Sequence, residues 1–226
     1  PDGYIVMRRR STSYPTTAIP VDGTTYTIGQ TLGNGTVEYI GSSLSAAMSS
    51  LSAGLPYTYY IYSYNGSGTT INYYQTSPLQ GSTYTLANEP TLHSNTFTLN
   101  SIASGTATLG FQSPNAISAT GYVIIRKVGT IAPTTLPTDG SLFSSSAGDA
   151  IFVTNTPATT TTTFNSTGLT LGETYTYLLI PYNRVGSDVS CNYNLNATIP
   201  SLTFTVPNIS SSVVSSGAEP ATISSL

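Results

Sequence analysis

Charge is the scarcest feature of this 226-residue chain. Only 7% of the residues are charged, the net charge is −3 and the isoelectric point is about 4.8. Nucleic-acid binding relies on basic groups that neutralise phosphates, whereas the one basic run here, Arg8–Arg10, is expected to be a solvated strand tip. The sequence therefore predicts no nucleic-acid partner.

Cysteine, tryptophan and long apolar runs are also rare or missing. The single cysteine, Cys191, excludes an internal disulfide, and no tryptophan occurs. No run of about 18 apolar residues is present, so we expect no membrane insertion. The chain starts with PDGYIV, directly in a predicted strand and without an initiator methionine or signal peptide. We expect it to be cut from a longer protein.

Hydroxyl and tyrosine side chains are abundant instead. Ser and Thr make up 71 of the 226 residues, and 17 tyrosines bring the aromatic share to 10%. Thr, Tyr, Val and Ile favour strands, while the 20 glycines and 14 prolines are typical of the turns between them. This composition predicts an all-β protein.

An internal repeat with an offset of 118 residues organises the chain. LSAGLPYTYYIYSYN begins at Leu51 and LTLGETYTYLLIPYN begins at Leu169, with Leu, Gly, Tyr and Tyr-Asn at matching positions. GYIVMR at Gly3 and GYVIIR at Gly121 match at the same offset. NEPTLHSN, which begins at Asn88, resembles AEPATISS near the end of the chain.

The repeats divide the chain into three parts. Residues 1–86 are expected to form a repeat without its first two strands, 87–207 a complete repeat, and 208–226 a linker and the start of a third. Seven short alternating strands predict an antiparallel β-sandwich for the complete repeat. They are expected near 96–101, 105–112, 120–128, 141–146, 150–155, 173–183 and 192–205. TPATTTTTFNST (156–167) is expected to be an edge strand or a mobile loop, and LSAAMSSLSA (44–53) is the one weak helix candidate.

Alternation in the repeated segment defines two faces. One face is assigned to the core and holds Tyr57, Tyr59, Ile61, Ser63, Tyr175, Tyr177, Leu179 and Pro181. Leu51 and Leu169 precede Tyr57 and Tyr175 by six residues, a spacing that predicts a tyrosine corner in each repeat. The opposite face is either covered by a loop or sheet edge, or forms a contact surface for other chains or sugars. It holds Tyr60, Tyr62, Tyr64, Leu178, Ile180 and Tyr182.

These motifs resemble a known family. The pattern Leu-x-x-Gly-x-x-Tyr-x-Tyr-x-(Ile/Leu)-x-x-x-Asn resembles the sixth strand of fibronectin type III domains, and GYIVMR and GYVIIR resemble the third. With its turn at Gly35–Val37 and the pattern YNG.G…NY…PL.GS at Tyr64–Ser82, the first repeat resembles the fibronectin III-like repeats of large cell-surface and secreted proteins of Bacteroidota, many of which use type IX secretion. The second repeat departs from the pattern at RVGSDVSCNYNLNATIP, and the family's frequent tryptophan is absent.

No motif predicts catalysis or a metal site. The nine carboxylates are scattered, without a closely spaced pair or a calcium-loop pattern. His93 is expected to be a linker residue packed against the neighbouring domain, and Cys191 a small core residue. We therefore expect no enzymatic activity and no cofactor.

The resemblance implies a structural role outside a bacterial cell. The expected function is a non-catalytic segment of a long adhesin, stalk or fibre, and the alternative is a spacer or carbohydrate-binding module of a secreted polysaccharide-degrading enzyme. The expected partners are neighbouring repeats of the same long chain, and the further candidates are a homo-oligomeric fibre and a cell-surface or glycan ligand. The two strands missing from the first repeat are expected either from upstream residues or, by strand donation, from another copy.

Overall fold

Strands make up the regular structure of this protein. The computed structural model describes residues 1–103, 105–112, 119–143, 150–154, 162–196 and 198–208. In these ranges the only helical elements are 3-10 turns at Gly68–Thr70 and Asp188–Ser190, so no helix there could cross a membrane. LSAAMSSLSA is not helical, and the all-β prediction is confirmed for the described residues.

The first repeat contains one antiparallel sheet, here called sheet A. Its strand order is β2-β3-β1-β4-β5, and β6 also pairs with β4. The strands are β1 (Gly3–Arg9), β2 (Thr31–Leu32), β3 (Gly35–Gly41), β4 (Pro56–Asn65), β5 (Asn72–Tyr73) and β6 (Leu79–Tyr84). The ten-residue β4 is therefore the central strand, bonded to β1, β5 and β6.

The second repeat contains two antiparallel sheets. Sheet B has the order β11-β8-β7, and sheet C has the order β10-β9-β12-β13 with β14 also bonded to β12. The strands are β7 (Thr96–Ala103), β8 (Thr106–Gln112), β9 (Gly121–Val128), β10 (Ala150–Thr154), β11 (Thr162–Ser166), β12 (Thr174–Asn183), β13 (Asn192–Tyr193) and β14 (Ser201–Thr205). Sheet C repeats the pairing of sheet A, with β9, β12, β13 and β14 in place of β1, β4, β5 and β6.

Most of the predicted strands are present, with three differences. The prediction for 192–205 is wrong in its middle, because residues 194–196 and 198–200, between β13 and β14, have no strand structure. Residues 141–143 are not a strand, and the rest of that prediction lies outside the described residues. The Thr-rich segment supplies an edge strand, β11, which pairs with β8, while 156–161 lie outside the described residues.

Sheet C is covered on both faces. Between sheets B and C, Leu109 and Phe111 share a buried cluster with Tyr122, Tyr177 and Leu179. On its other face a second cluster combines sheet residues with loop side chains: Val123, Ile125, Ile180, Tyr182, Cys191, Tyr193, Leu136, Leu142, Phe143 and Ile199. This double coverage buries eight consecutive residues of β12.

Sheet A has a corresponding buried cluster on one face. Ile5, Met7, Val37 and Tyr62 pack there with loop residues including Ala18. Residues 1–86 contain no strands equivalent to β7 and β8, and the segment at the position of β11 has no strand structure. The first repeat therefore resembles the second with one layer removed.

The linker between the repeats is hydrogen-bonded to the second repeat. The amide of Ala87 donates to the carbonyl of Ser190 at 2.8 Å, and the Ala87 carbonyl accepts from Asn192 Nδ2 at 2.7 Å. Asn183 Nδ2 donates to the carbonyl of Asn88 at 2.7 Å. These bonds hold the linker against β12, β13 and the neighbouring 3-10 turn.

Candidate functional site

The candidate site is the face of sheet A that lacks a covering layer, here called the open face. Successive side chains of a strand point to opposite sides. Ile5 and Met7 point into the buried cluster, so Tyr4 and Val6 point to the open face, where Val6 pairs with Ile61 of β4. Tyr4 and Ile61 are partly exposed.

A groove of about 730 Å³ runs across the open face. Its lining is mainly apolar and combines β1, β3, β4 and β6 with the loop that follows β3. The apolar and aromatic members are Tyr4, Val6, Tyr39, Leu44, Ala46, Met48, Leu51, Tyr59, Ile61 and Leu79. Leu44 is 89% exposed and Leu79 67% exposed, so the groove leaves large apolar side chains in water.

The second repeat provides the reference for this surface. Tyr122, Ile124, Tyr177 and Leu179 occupy the positions of Tyr4, Val6, Tyr59 and Ile61 at the offset of 118 residues. All four are at most 1% exposed, because sheet B lies over them. The same strand face is thus a closed core in the second repeat and a groove in the first.

The segment Leu44–Met48 borders the groove and was missed as a functional element by the sequence analysis. Leu44, Ala46 and Met48 all line the groove. At the repeat offset the segment corresponds to β11, whose Phe164 packs against the core between sheets B and C. The available signal was this offset, because Leu44–Met48 aligns with β11 at 118 residues.

Two equivalent arginines differ in their bonding. Arg8 forms a salt bridge with Glu38 at 2.9 Å and lies 5.2 Å above the centre of the Tyr57 ring, but its buried Nη1 has no hydrogen-bond partner. Arg126 lies 5.3 Å above Tyr175 in the same way. Its Nη1 donates to Ser166 Oγ and to the Thr167 carbonyl, both at 2.9 Å.

Tyr59 lies near Arg8 on the open face. Burial raises the pKa of Tyr59, and the positive charge of Arg8 offsets part of that shift. Tyr177, its equivalent, bonds Ser166 Oγ at 2.9 Å, and burial likewise raises its pKa. Both phenols are therefore neutral groups suited to hydrogen bonding at neutral pH.

Each tyrosine assigned to a corner bonds the backbone upstream. Tyr57 Oη accepts from the Ser52 amide at 2.9 Å, and Tyr175 Oη accepts from the Thr170 amide at 2.9 Å. Tyr57 and Tyr175 are 2% and 4% exposed. Leu169 is buried in the core, whereas Leu51 lines the groove and is partly exposed.

The row expected as a contact surface is mostly buried. Tyr62, Leu178, Ile180 and Tyr182 are at most 6% exposed, so for these four residues the structure has the covered face and not the contact surface. Loop side chains cover this face in both repeats. The other two members are partly exposed, and Tyr60 stacks on Tyr14 at 5.5 Å between ring centroids while Tyr64 contacts Tyr73 at 5.8 Å.

His93 contacts Asn196 of the second repeat, and Cys191 lies in the buried cluster of that repeat. His93 Nε2 is 2.7 Å from the Asn196 carbonyl, so Nε2 is the protonated nitrogen. Cys191 is fully buried beside Tyr182 and Tyr193, and this burial raises the pKa of its thiol. Among the described residues no group of three or more His, Cys, Asp or Glu side chains is placed to hold a metal ion.

Comparison of the chain with protein-family models and with curated proteins found no match. The open face offers an apolar groove, an adjacent backbone segment outside any ladder and one unpaired guanidinium nitrogen. Such a combination is suited to binding extended polypeptide.

Proposed function

We propose that this chain is a non-catalytic structural segment of a long extracellular adhesin, stalk or fibre of a bacterium, built from tandem fibronectin III-like β-sandwiches. The resemblance of both repeats to the fibronectin III-like proteins of Bacteroidota motivates the assignment. Its function arises from repetition and length, since a repeated domain that contacts only its neighbours forms a quasi-linear array.

The observation that carries this proposal is the repeated sheet with its bonded linker. Sheet C pairs β9, β13 and β14 with β12 as sheet A pairs β1, β5 and β6 with β4, and β4 and β12 begin 118 residues apart. The linker leaves β6 and bonds directly to Ser190, Asn192 and Asn183 of the next repeat. A linker held in this way favours a fixed direction from one repeat to the next.

The surface chemistry also supports an exposed array. With 7% charged residues and abundant hydroxyls, the chain has few groups available for nonspecific ion pairing. Exposed strands carry many threonines, as in β7, where Thr96 and Thr98 face water. Hydroxyl groups keep such a surface hydrated without a large net charge.

Small-angle X-ray scattering tests the proposal. The 226-residue chain is compared with versions lengthened by one and by two further copies of residues 89–206. A linear array predicts that the maximum dimension grows by a constant step of roughly 35 Å per repeat, the length of a ten-residue strand. Growth that falls off with each added repeat would contradict the proposal.

Glycan binding provides a second test of the same assignment. A stalk or fibre segment without a glycan ligand of its own is expected to show no saturable binding to soluble polysaccharides. Saturable, stoichiometric binding of one polysaccharide class in isothermal titration calorimetry would instead favour a carbohydrate-binding module of a secreted enzyme.

A further inference from the structure

We propose that the open face of sheet A is the docking site of a two-stranded β-hairpin like β7–β8, joined in the same polypeptide to the amino-terminal side of β1. This inference goes beyond the proposed function, because it concerns how the first repeat is completed and holds wherever the protein resides. In the second repeat, β8 places Ala107, Leu109 and Phe111 over the equivalent face. The second repeat therefore shows what kind of element covers this face of the sheet.

The shape and chemistry of the groove match such a hairpin. The side chains that β8 covers in the second repeat, such as Tyr122 and Leu179, are at most 1% exposed. Their equivalents Tyr4 and Ile61 have the same aromatic or aliphatic character and are left partly exposed. A strand with an apolar residue at every second position would cover them as β8 covers sheet C.

The segment Leu44–Met48 supplies the edge beside which the hairpin docks. Its counterpart β11 pairs with β8 in an antiparallel ladder, with Phe164 opposite Leu109 and Ser166 opposite Ala107. Leu44–Met48 has no strand structure, although Leu44, Ser45, Ala46 and Met48 line the groove. The arriving hairpin would turn this segment into the third strand of a missing sheet.

Arg8 provides an independent indication. In the second repeat Arg126 Nη1 holds the end of β11 through the Thr167 carbonyl at 2.9 Å. The residue at the matching position of the first repeat is Ser49, and the buried Arg8 Nη1 has no partner. Because a buried unpaired donor is costly, pairing of Leu44–Met48 with a hairpin would bring the Ser49 carbonyl to the donor that lacks one.

The connection favours a hairpin in the same polypeptide over one from another copy. In the second repeat, β8 ends at Gln112 and β9 begins at Gly121, so a short connection carries the chain from the covering layer into sheet C. The backbone entering β1 is already positioned in the same way: the amide of Asp2 donates to the Tyr64 carbonyl at 2.9 Å, as the amide of Thr120 does to Tyr182 at 3.0 Å. A hairpin joined there needs no second chain.

The test adds the hairpin to the chain and measures whether it protects Leu44–Met48 and the groove from solvent. A copy of residues 89–119 is fused directly to Asp2 of the full chain, in place of Pro1. Hydrogen exchange by mass spectrometry then follows the peptide that contains Leu44–Met48, and ANS fluorescence follows the open groove. The fusion is expected to slow exchange of that peptide by at least about tenfold, because ladder pairing protects amides. It should also lower ANS fluorescence while the protein stays monomeric by light scattering.

A matched control carries the same fusion with aspartate at its copies of Leu109 and Phe111. It should leave exchange and ANS binding as they are in the unfused chain, and β12 exchange reports in every sample that the second repeat is folded. Unchanged exchange with the intact fusion would overturn the proposal. An unfused chain that dimerises and already protects Leu44–Met48 would also overturn it, because the occupant would then be another copy.

Discussion

Leu179 and Ile61 occupy the same position in the two repeats, but only Leu179 is fully covered. Leu179 is 0% exposed between sheets B and C, whereas Ile61 lies on the open face and is partly exposed. Truncating a buried leucine to alanine costs about 2–5 kcal/mol through lost transfer energy and a residual cavity. Half-burial of an aliphatic side chain contributes about 1 kcal/mol. We therefore expect Leu179→Ala to destabilise its repeat by roughly 2 kcal/mol more than Ile61→Ala destabilises the first.

Native-state hydrogen exchange with mass spectrometry measures the two costs separately. Peptides from β12 report opening of the second repeat and peptides from β4 report opening of the first, so no single two-state transition is required. A loss of about 3 kcal/mol for Leu179→Ala speeds exchange of β12 by more than roughly a hundredfold. A loss of about 1 kcal/mol for Ile61→Ala speeds exchange of β4 by only about fivefold.

A substitution on the covered side of sheet A is the matched control. Ile5 is 0% exposed in the buried cluster of the first repeat, so Ile5→Ala should cost as much as a core truncation in the second repeat. Equal losses for Ile61→Ala and Leu179→Ala would refute the reasoning, because the open face would then be covered in solution. Repeating the exchange measurement over a dilution series shows whether association with a second copy of the chain covers the open face.

Three further predictions test the corners, the buried phenols and the linker. Tyr175→Phe removes the acceptor of the Thr170 amide and should lower the free energy of unfolding by about 1 kcal/mol in urea, with Tyr57→Phe giving a similar loss. Burial raises the pKa of Tyr62 to about 12 from an unfolded value of 10, so its neutral form favours folding. The neutral phenol contributes about 3 kcal/mol to folding; this contribution is intact below pH 10 and is lost as the pH rises to about 12. Urea unfolding curves at stepped pH should therefore show that Tyr62→Phe loses less stability between pH 10 and pH 12 than the unsubstituted chain does. Asn192→Ala removes the 2.7 Å bond to the Ala87 carbonyl and should speed exchange of the linker amides without changing exchange of β12.

The strand framework was predictable because its pattern is strong. In β9 and β12, branched and aromatic residues form runs bounded by glycine and asparagine, and both were predicted within a residue of their ends. The identical spacing in the first repeat transferred the prediction to β1 and β4. β14 was merged with β13 because the seven residues between them continue the same polar and apolar mixture without a clear breaker before Pro200.

Which faces are covered could not be predicted from alternation. A period of two separates the side chains of a strand into two sets, but it does not say what lies over each set. In β12 both sets are apolar, and loop side chains such as Leu136 and Phe143 decide the burial of Ile180 and Tyr182. Those loop residues lie outside any strand and have no periodicity to identify them.

The groove could be predicted only by comparing the two repeats, and not from the local sequence around Leu44–Met48. LSAAM alone suggests a short helix, because alanine and leucine favour one. Only its alignment with β11 identifies it as a strand position, and for β11 itself the sequence left an edge strand and a mobile loop as alternatives until its ladder to β8 was seen. The strand that pairs with such a segment lies elsewhere in the chain, so the sequence of the segment alone does not identify that strand.

The pairing of β1 and β6 with one central strand has a mechanical consequence. Both strands are antiparallel to β4, so they are parallel to each other. Gly3 at the start of β1 lies opposite Tyr64 near one end of β4, and Tyr84 at the end of β6 lies opposite Pro56 at the other end. Tension between these two ends draws β1 and β6 in opposite directions along β4. It loads the ladder hydrogen bonds lengthwise and together, so the sheet yields by shear and not by unzipping one pair after another.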